Sequence, residues 1–465
     1  MTPLTRRTFL KTLALTGTSL TLGLGLTACG SDDDDNNPPV ASSLRFAVLS
    51  DLHVYDTSLG SSGSAFDSYL AADRKMLLQS REILESMVAS LLAVEGLQMV
   101  IIPGDLTKDG ERVCHELAIR LLQPLRDAGI AVYVVPGNHD INNPHAVAFD
   151  GDSTTAVENI SPDDFASLYG DFGYAGALYR HDNSLSYIVE PVTGVWLVAL
   201  DSCKYDDNAS LGSPETSGAL SDDLLGWLQP LLAEAQSQGK RVFGMLHHGV
   251  VAHFASQPNF FAEYLLDDYE TVGQLLSEYG LNLVFTGHFH AQDAALADYN
   301  GDGSLLMYDV ETGSCVTDPC PWRLVDLSVA AGTYEIQSHF VDSLPSDSDF
   351  ASYKTRFALE GMYSLYTSYL GNMGVSGDTL VQLAGLAASL HVAHYQGDEA
   401  PDATTLAQLA ALAGSSDAQT AMLGQALYAL AVDPGLADND LSVSQESSLA
   451  AMSGLWRRLL GRATA

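Results

Sequence analysis

Five short blocks of the chain carry side chains that could bind metal ions and move protons. They are Asp51-Leu52-His53, Gly104-Asp105, Gly137-Asn138-His139-Asp140, His247-His248 and Gly287-His288-Phe289-His290. Their donors are oxygens and imidazole nitrogens, and none is a cysteine, so a structural thiolate zinc site is not indicated. Alternate residues of an extended chain point the same way. Asp51 with His53, and His288 with His290, can therefore each send two ligands from one strand end. A carboxylate such as Asp105 has two oxygens and can bridge two cations, and the glycine before it lets the backbone turn tightly. The Asn138 oxygen is a neutral ligand, and His139 beside it could transfer a proton. Each block alone is weak, because Asp-x-His and His-x-His pairs arise by chance. Together, in order, they point to a mixed nitrogen and oxygen site that many divalent metals accept.

Such residues need rigid elements to bring them together, and the chain supplies them. Apolar runs of strand length precede each block: 44–50, 100–103, 131–135, 241–246 and 283–286. Further strands are expected at 185–191, 195–200, 305–310, 322–329 and 333–341. Helical spacing is read over 71–94, 111–128, 221–237 and 262–279. Ligands of α/β sheets bind beyond the carboxyl ends of strands, so blocks distant in sequence can meet there. From about residue 346 the chain becomes rich in Ala, Leu, Ser and Gly. Helices are expected near 352–372, 378–395, 402–413, 417–431 and 443–461, which gives a helical C-terminal domain over 346–465. His391 and His394 share a helix face there and read as packing or surface residues.

In their order and spacing the five blocks resemble the calcineurin-like metallophosphoesterases, over roughly residues 44–342. The resemblance implies a four-layer α/β/β/α sandwich of two mixed sheets, with the metallophosphoesterase domain at 43–343. It implies two metal ions, iron, manganese or zinc. Asp51, His53 and His290 would hold the first, Asn138, His247 and His288 the second, and Asp105 would bridge them. His139 would serve the leaving group. Two ions about 3.5–4 Å apart would clamp a phosphate and hold the attacking hydroxide. The implied activity is hydrolysis of small-molecule or lipid phosphate esters, diesters before monoesters or nucleotides. His247 is taken as ligand over His248, which with His253 becomes a candidate to face substrate. The purple acid phosphatases, a subgroup, carry a tyrosine three residues after the bridging Asp; Lys108 stands there, which argues against a tyrosinate-bound iron. Thr107, Lys108 and Glu111 read as a solvated helix start. Asn142 and Asn143 could touch substrate or turn the chain, Asp298 to Gly303 reads as a hairpin turn, and Glu311 could line the pocket.

The bulk numbers set the frame. A chain of 465 residues suggests two or three domains, and 46% hydrophobic residues suffice for a large core. A formal charge of −37 argues against nucleic-acid binding and requires local cations to attract an anionic substrate. Residues 5–11, Thr-Arg-Arg-Thr-Phe-Leu-Lys, precede an uncharged run and Leu26-Thr27-Ala28-Cys29. These resemble a twin-arginine export signal and a lipobox. Residues 1–29 are thus expected to direct export, with Cys29 lipidated and the protein anchored to a bacterial membrane at the periplasmic or cell-surface side. Residues 30–42 read as a polar tether. Cys315 and Cys320 could close a small disulfide loop or remain buried thiols. The reading from another class is a non-catalytic surface protein with a residual metal site.

Overall fold

The computed structural model describes residues 40–432 and 435–445. The chain opens with β1 (Ser43–Val48), then α1 (Ser64–Asp73), α2 (Ser80–Leu92), β2 (Met99–Ile102), α3 (Arg112–Asp127) and β3 (Ala131–Val134). The helix expected over 71–94 is therefore two helices. The chain leaves α1 at Arg74, whose φ of 61° is left-handed, and resumes after a 3-10 turn at Leu77–Gln79. A hairpin of β4 (Val147–Asp150) and β5 (Ser153–Ala156) follows, then α4 (Pro162–Leu168). A capping box of Ser161 with Asp164 and a proline in the first turn start α4.

The second half of the sandwich comprises β6 (Tyr179–Arg180), β7 (Tyr187–Val192), β8 (Val195–Ala199), α5 (Asn208–Leu211) and α6 (Asp222–Ser237). It continues through β9 (Arg241–Met245), α7 (Gln257–Phe260), α8 (Tyr269–Glu278), β10 (Leu283–Thr286), β11 (Asp293–Asp298) and β12 (Leu306–Glu311). Strands β13 (Pro321–Ser328) and β14 (Thr333–Phe340) return to the first sheet. Helices α9 (Phe350–Asn372), α10 (Gly377–Gln396), α11 (Ala403–Ala413) and α12 (Ala418–Ala431) precede a last strand, β15 (Asp440–Ser444).

One sheet has the order β15-β14-β13-β1-β2-β3 and the other β11-β12-β10-β9-β8-β7-β6. Both are mixed. β1, β2 and β3 run parallel, as do β8, β9, β10 and β12, while the remaining pairs in these sheets are antiparallel. The sheets meet face to face: the Phe46 ring stacks on Phe243 at 5.1 Å and meets Phe285 edge-on at 5.5 Å. Helices α2 and α3 cover the first sheet through Ile83, Met87, Leu91 and Leu122. Helices α6 and α8 cover the second through Leu224, Leu228 and Leu276, against Trp196 and Val284. This is the expected four-layer sandwich. Its central strands are buried on both faces, which is why they read as continuous apolar runs.

The C-terminal helices pack on the sandwich through Phe289, which sits among Ala358, Met362 and Val392. The helix expected over 443–461 is corrected where it can be seen, because Asp440–Ser444 pairs antiparallel with β14 instead. Alternation decides this: Val443 is buried and Ser442 and Ser444 are not, a period of two that an exposed sheet edge can use. The rest of that segment, the export signal, Cys29 and most of the tether lie outside the described residues. Arg323, fully buried, ties the parts together by donating to the carbonyls of Asp438 at 2.5 Å and Glu311 at 2.6 Å. Cys315 and Cys320 are free thiols, as are Cys114 and Cys203, so the disulfide alternative is not realised.

Candidate metal centre

The loops after β1, β2 and β3 of one sheet and after β9 and β10 of the other all leave the carboxyl ends of parallel strands, so they converge. Asp51, His53, Asp105 and His290 form one group of ligand atoms, and Asp105, His247 and His288 another. Asp105 belongs to both, with Oδ2 3.5 Å from His53 Nε2 and 3.5 Å from His247 Nε2. Asn138 Oδ1 lies 3.1 Å from His247 Nε2. Asp51 Oδ1 faces His290 Nε2 at 3.3 Å.

The backbone is bent to achieve this. Asp51, His53, Asp105, His288 and His290 all have left-handed φ, at 52°, 38°, 50°, 79° and 70°. Side chains with a Cβ rarely adopt that region, and such residues gather where function requires them. Two glycines permit the close approach. A Cβ on Gly137 would overlap the Asp105 carboxylate, and one on Gly287 would overlap Ser50 and Asp51.

The polar atoms fit metal ions. His247 Nδ1 meets the Pro103 carbonyl at 2.9 Å and His53 Nδ1 that of Thr107 at 3.3 Å. A carbonyl only accepts, so each ring donates from Nδ1, which turns Nε2 inward as the atom that would bind a metal in place of a proton. His53 Nε2 and His290 Nε2 stand 3.2 Å apart, and lone pairs at that distance repel unless a proton or cation lies between them. Asp51 Oδ1 and His288 Nε2 are buried without a hydrogen-bond partner, which is costly unless something compensates. Burial would lower the His247 pKa, but the charges of Asp105 and Asp51 lift it to about 9. Burial and neighbouring cations hold His53 and His288 well below the usual imidazole range.

His139 borders this cluster and is more open, with 21% of its side chain exposed. Its amide donates to Asp105 Oδ1 at 2.9 Å, and its Nδ1 bonds Asp109 Oδ1 at 2.8 Å. Burial and Lys75 push its pKa down, yet Asp105 and Asp109 outweigh them and raise it. Asp109 is a partner of His139 that reading the sequence missed. It also accepts from Tyr69 Oη at 2.8 Å and from Lys108. Thr107, Lys108 and Glu111 are buried, not a solvated helix start. The Lys108 ammonium is enclosed by Asp109 and Glu111, which satisfies its charge and lets it be buried. Asp140 plays a similar hidden part: its carboxylate accepts the amides of Leu106, Thr107 and Gly137 at 2.9–3.0 Å and locks two blocks together.

Other expectations are corrected. His248 is buried, with Nδ1 on Ser202 Oγ at 2.8 Å and Nε2 on the Thr216 carbonyl at 2.9 Å, so it braces the loop and does not face a substrate. His253 lies in a separate buried charge cluster, 3.1 Å from Asp293 and 3.6 Å from Asp309. Burial would lower its pKa, but those carboxylates hold it well above the usual value. Glu311 is buried beside it and accepts the Ala291 amide at 3.2 Å, so it is a support and not a lining residue. Asn143 turns the chain, donating to the His139 carbonyl at 3.0 Å. Gly301 and Gly303 donate to Asp298 at 3.0 and 2.9 Å, the expected hairpin turn.

A paired site of carboxylates and imidazoles at the strand ends of a two-sheet sandwich defines a dinuclear metallohydrolase. The family description "Calcineurin-like phosphoesterase" matches residues 44–292, and the chain belongs to that family, metal-dependent hydrolases of phosphate esters that use two divalent ions. Among solved structures it is similar to a dimetal phosphatase from Danio rerio, with 17% identity, a TM-score of 0.44, and coverage of 64% of this chain and 96% of that one. A 5'-nucleotidase precursor from Thermus thermophilus is 12% identical with a TM-score of 0.33, covering 70% and 59%. A phosphopantetheinyl hydrolase from Mycobacterium tuberculosis is 14% identical with a TM-score of 0.30, covering 59% and 91%. No curated protein matches the chain in sequence.

Proposed function

We propose that the protein hydrolyses phosphodiesters in preference to monoesters at the centre built on Asp105. The observation that carries the reading is the shared Asp105 carboxylate, equidistant from two imidazoles, beside Asp51 Oδ1 and His288 Nε2, which are buried without a hydrogen bond. Asp51, His53 and His290 would hold one ion and Asn138, His247 and His288 the other. Bound there, two ions supply Lewis acidity toward phosphate oxygens and a nucleophilic water at neutral pH. Asp109 accepts the hydrogen bond of His139 Nδ1–H and stabilises the charged ring, which leaves Nε2–H free to give its proton to the departing alkoxide. The left-handed backbone at five ligands keeps the donors in place before any ligand arrives, so little reorganisation is needed. A formal charge of −37 supports the diester preference, since a singly charged diester meets less repulsion than a doubly charged monoester.

The monoester reading needs a cation near the site for its second phosphate charge, and Lys75, buried and paired with Asp73 at 3.1 Å, is the candidate. Metal content and hydrolysis of bis(p-nitrophenyl) phosphate and p-nitrophenyl phosphate, measured on the purified protein, separate the readings. About two metals per chain with faster diester cleavage is the expected result. Faster monoester cleavage would reverse the preference. No metal and no turnover after addition of manganese, iron or zinc would favour a non-catalytic binding protein.

A further inference from the structure

The C-terminal helices leave a hollow in the surface they make with α7. Phe260 and Phe261 at the end of α7, Leu365 and Tyr369 of α9, and Met422 and Leu427 of α12 line a cavity of about 210 Å³. In a chain with 58 Asp and Glu, no carboxylate, lysine or arginine among the described residues lines it. Its polar members answer each other: Tyr366 Oη and His391 Nδ1 are 2.9 Å apart. Burial, helped by the His394 charge, lowers the His391 pKa to about 3, so that ring is neutral. The rim is open, with Tyr369 47%, Met422 41% and Leu365 38% exposed. Large apolar side chains left in water around a hollow mark a binding site.

Size decides what fits. Apolar cavities of about 150 Å³ already take up small hydrocarbons. Sites for drug-sized molecules start at about 300 Å³, and a helix about 10 Å across does not enter so small a space. A single hydrocarbon chain is the shape that remains. An aromatic strip joins the cavity to the metal centre. The Phe261 ring meets Phe289 at 5.3 Å and Tyr264 at 6.4 Å, and the Tyr264 ring lies 4.7 Å from that of His288. Phe289 stands in the chain between His288 and His290, and its ring stacks on His391 at 6.1 Å. Phe261 and Tyr264 are half-buried, so the strip is partly at the surface, where a ligand can lie along it. Two ring contacts thus separate the cavity wall from a metal-site imidazole.

We propose that this cavity seats an alkyl chain of the substrate, so that the phosphate ester cleaved at the metal centre is lipid-like and lays its tail along Tyr264 and Phe261. The inference rests on the phosphoesterase reading for the reacting group and adds the class of group that the phosphorus carries. Burial of methylenes offsets the repulsion between an anionic ester and a chain of formal charge −37. It also gives the C-terminal helices a part in substrate choice.

The test compares octylphosphonate with ethylphosphonate, which share a headgroup and differ only in chain length. Each methylene seated in the cavity tightens binding by up to about fourfold. Calorimetric titration of the manganese-loaded full-length protein should therefore show octylphosphonate binding at least about tenfold more tightly. Ala426→Trp, which fills the cavity from its half-buried wall, should reduce that preference to about twofold and leave ethylphosphonate affinity unchanged. Leu365→Ser, at the exposed rim, should weaken octylphosphonate alone and guards against misfolding of the first variant. Equal affinities in the unaltered protein, or a preference that survives both substitutions, overturns the proposal. So does binding of octan-1-ol when the two phosphonates bind alike, because cavity and metals would then serve different ligands. Hydrolysis of p-nitrophenyl octyl and p-nitrophenyl ethyl phosphate separates the two ideas. A phosphonate preference without hydrolysis of either ester keeps the alkyl site and removes the phosphoesterase reading. Hydrolysis of both with equal KM does the reverse.

Discussion

Asp109 governs how far His139 keeps its proton as pH rises. Its carboxylate, with that of Asp105, raises the His139 pKa against burial. The acid form is the one that can protonate a leaving group, so activity should fall as pH climbs through that pKa. Asp109→Asn removes one of the two raising charges, and the alkaline limb of the kcat/KM profile should move to lower pH. His139→Ala should lower kcat by about 10²–10⁴-fold with metal content retained; loss of metal in that variant would assign His139 to the ligand set instead. The metal-site residues were legible in sequence because each block follows a strand and repeats a spacing that extended backbone dictates. Asp109 was not, because Lys108-Asp109-Gly110-Glu111 has the composition of an exposed turn. Only the fold shows that two of its acids enclose one buried lysine. His248 and His253 read as candidates to face substrate because they follow the same strand as His247, and the sequence does not show that a hydroxyl and a carbonyl engage one and carboxylates the other.

The strand ends place the blocks, and the turns after them do the fine positioning. In the turn after β3, Gly137 leaves room for the Asp105 carboxylate delivered by β2. Gly137→Ala should push that carboxylate aside and weaken metal binding about 10–100-fold, as loss of a supporting contact does. Fluorescence titration with manganese reads this, and a circular dichroism spectrum like that of the unaltered protein would show that the sheets survive. Unchanged affinity would mean that the loop relaxes freely. The strands at the sandwich centre were legible from their apolar runs. The break between α1 and α2 was not, since apolar spacing continues across it and Arg74 gives no sign of a left-handed residue. Strand β15 was also missed, because five residues of mixed polarity reveal their period only against a neighbouring edge.

For the molecule as a whole, the acidic surface and the N-terminal pattern concern where the enzyme works. No described helix is long and apolar enough to cross a membrane. The pattern Arg6-Arg7 and Leu26-Thr27-Ala28-Cys29 supports a proposal of export and acylation. Labelled palmitate should enter the protein in bacterial cells and be lost in Cys29→Ser; equal labelling of both would exclude Cys29 as the attachment point. The outermost strand of the first sheet comes from residues 440–444, and Gln445 beside it reaches across to the Val242 carbonyl of the second sheet at 3.0 Å. Residues 440–445 are therefore a clasp between the two sheets that lies beyond four helices in the chain, so the edge beside β14 is closed by a segment that must travel back across the helical region to reach it.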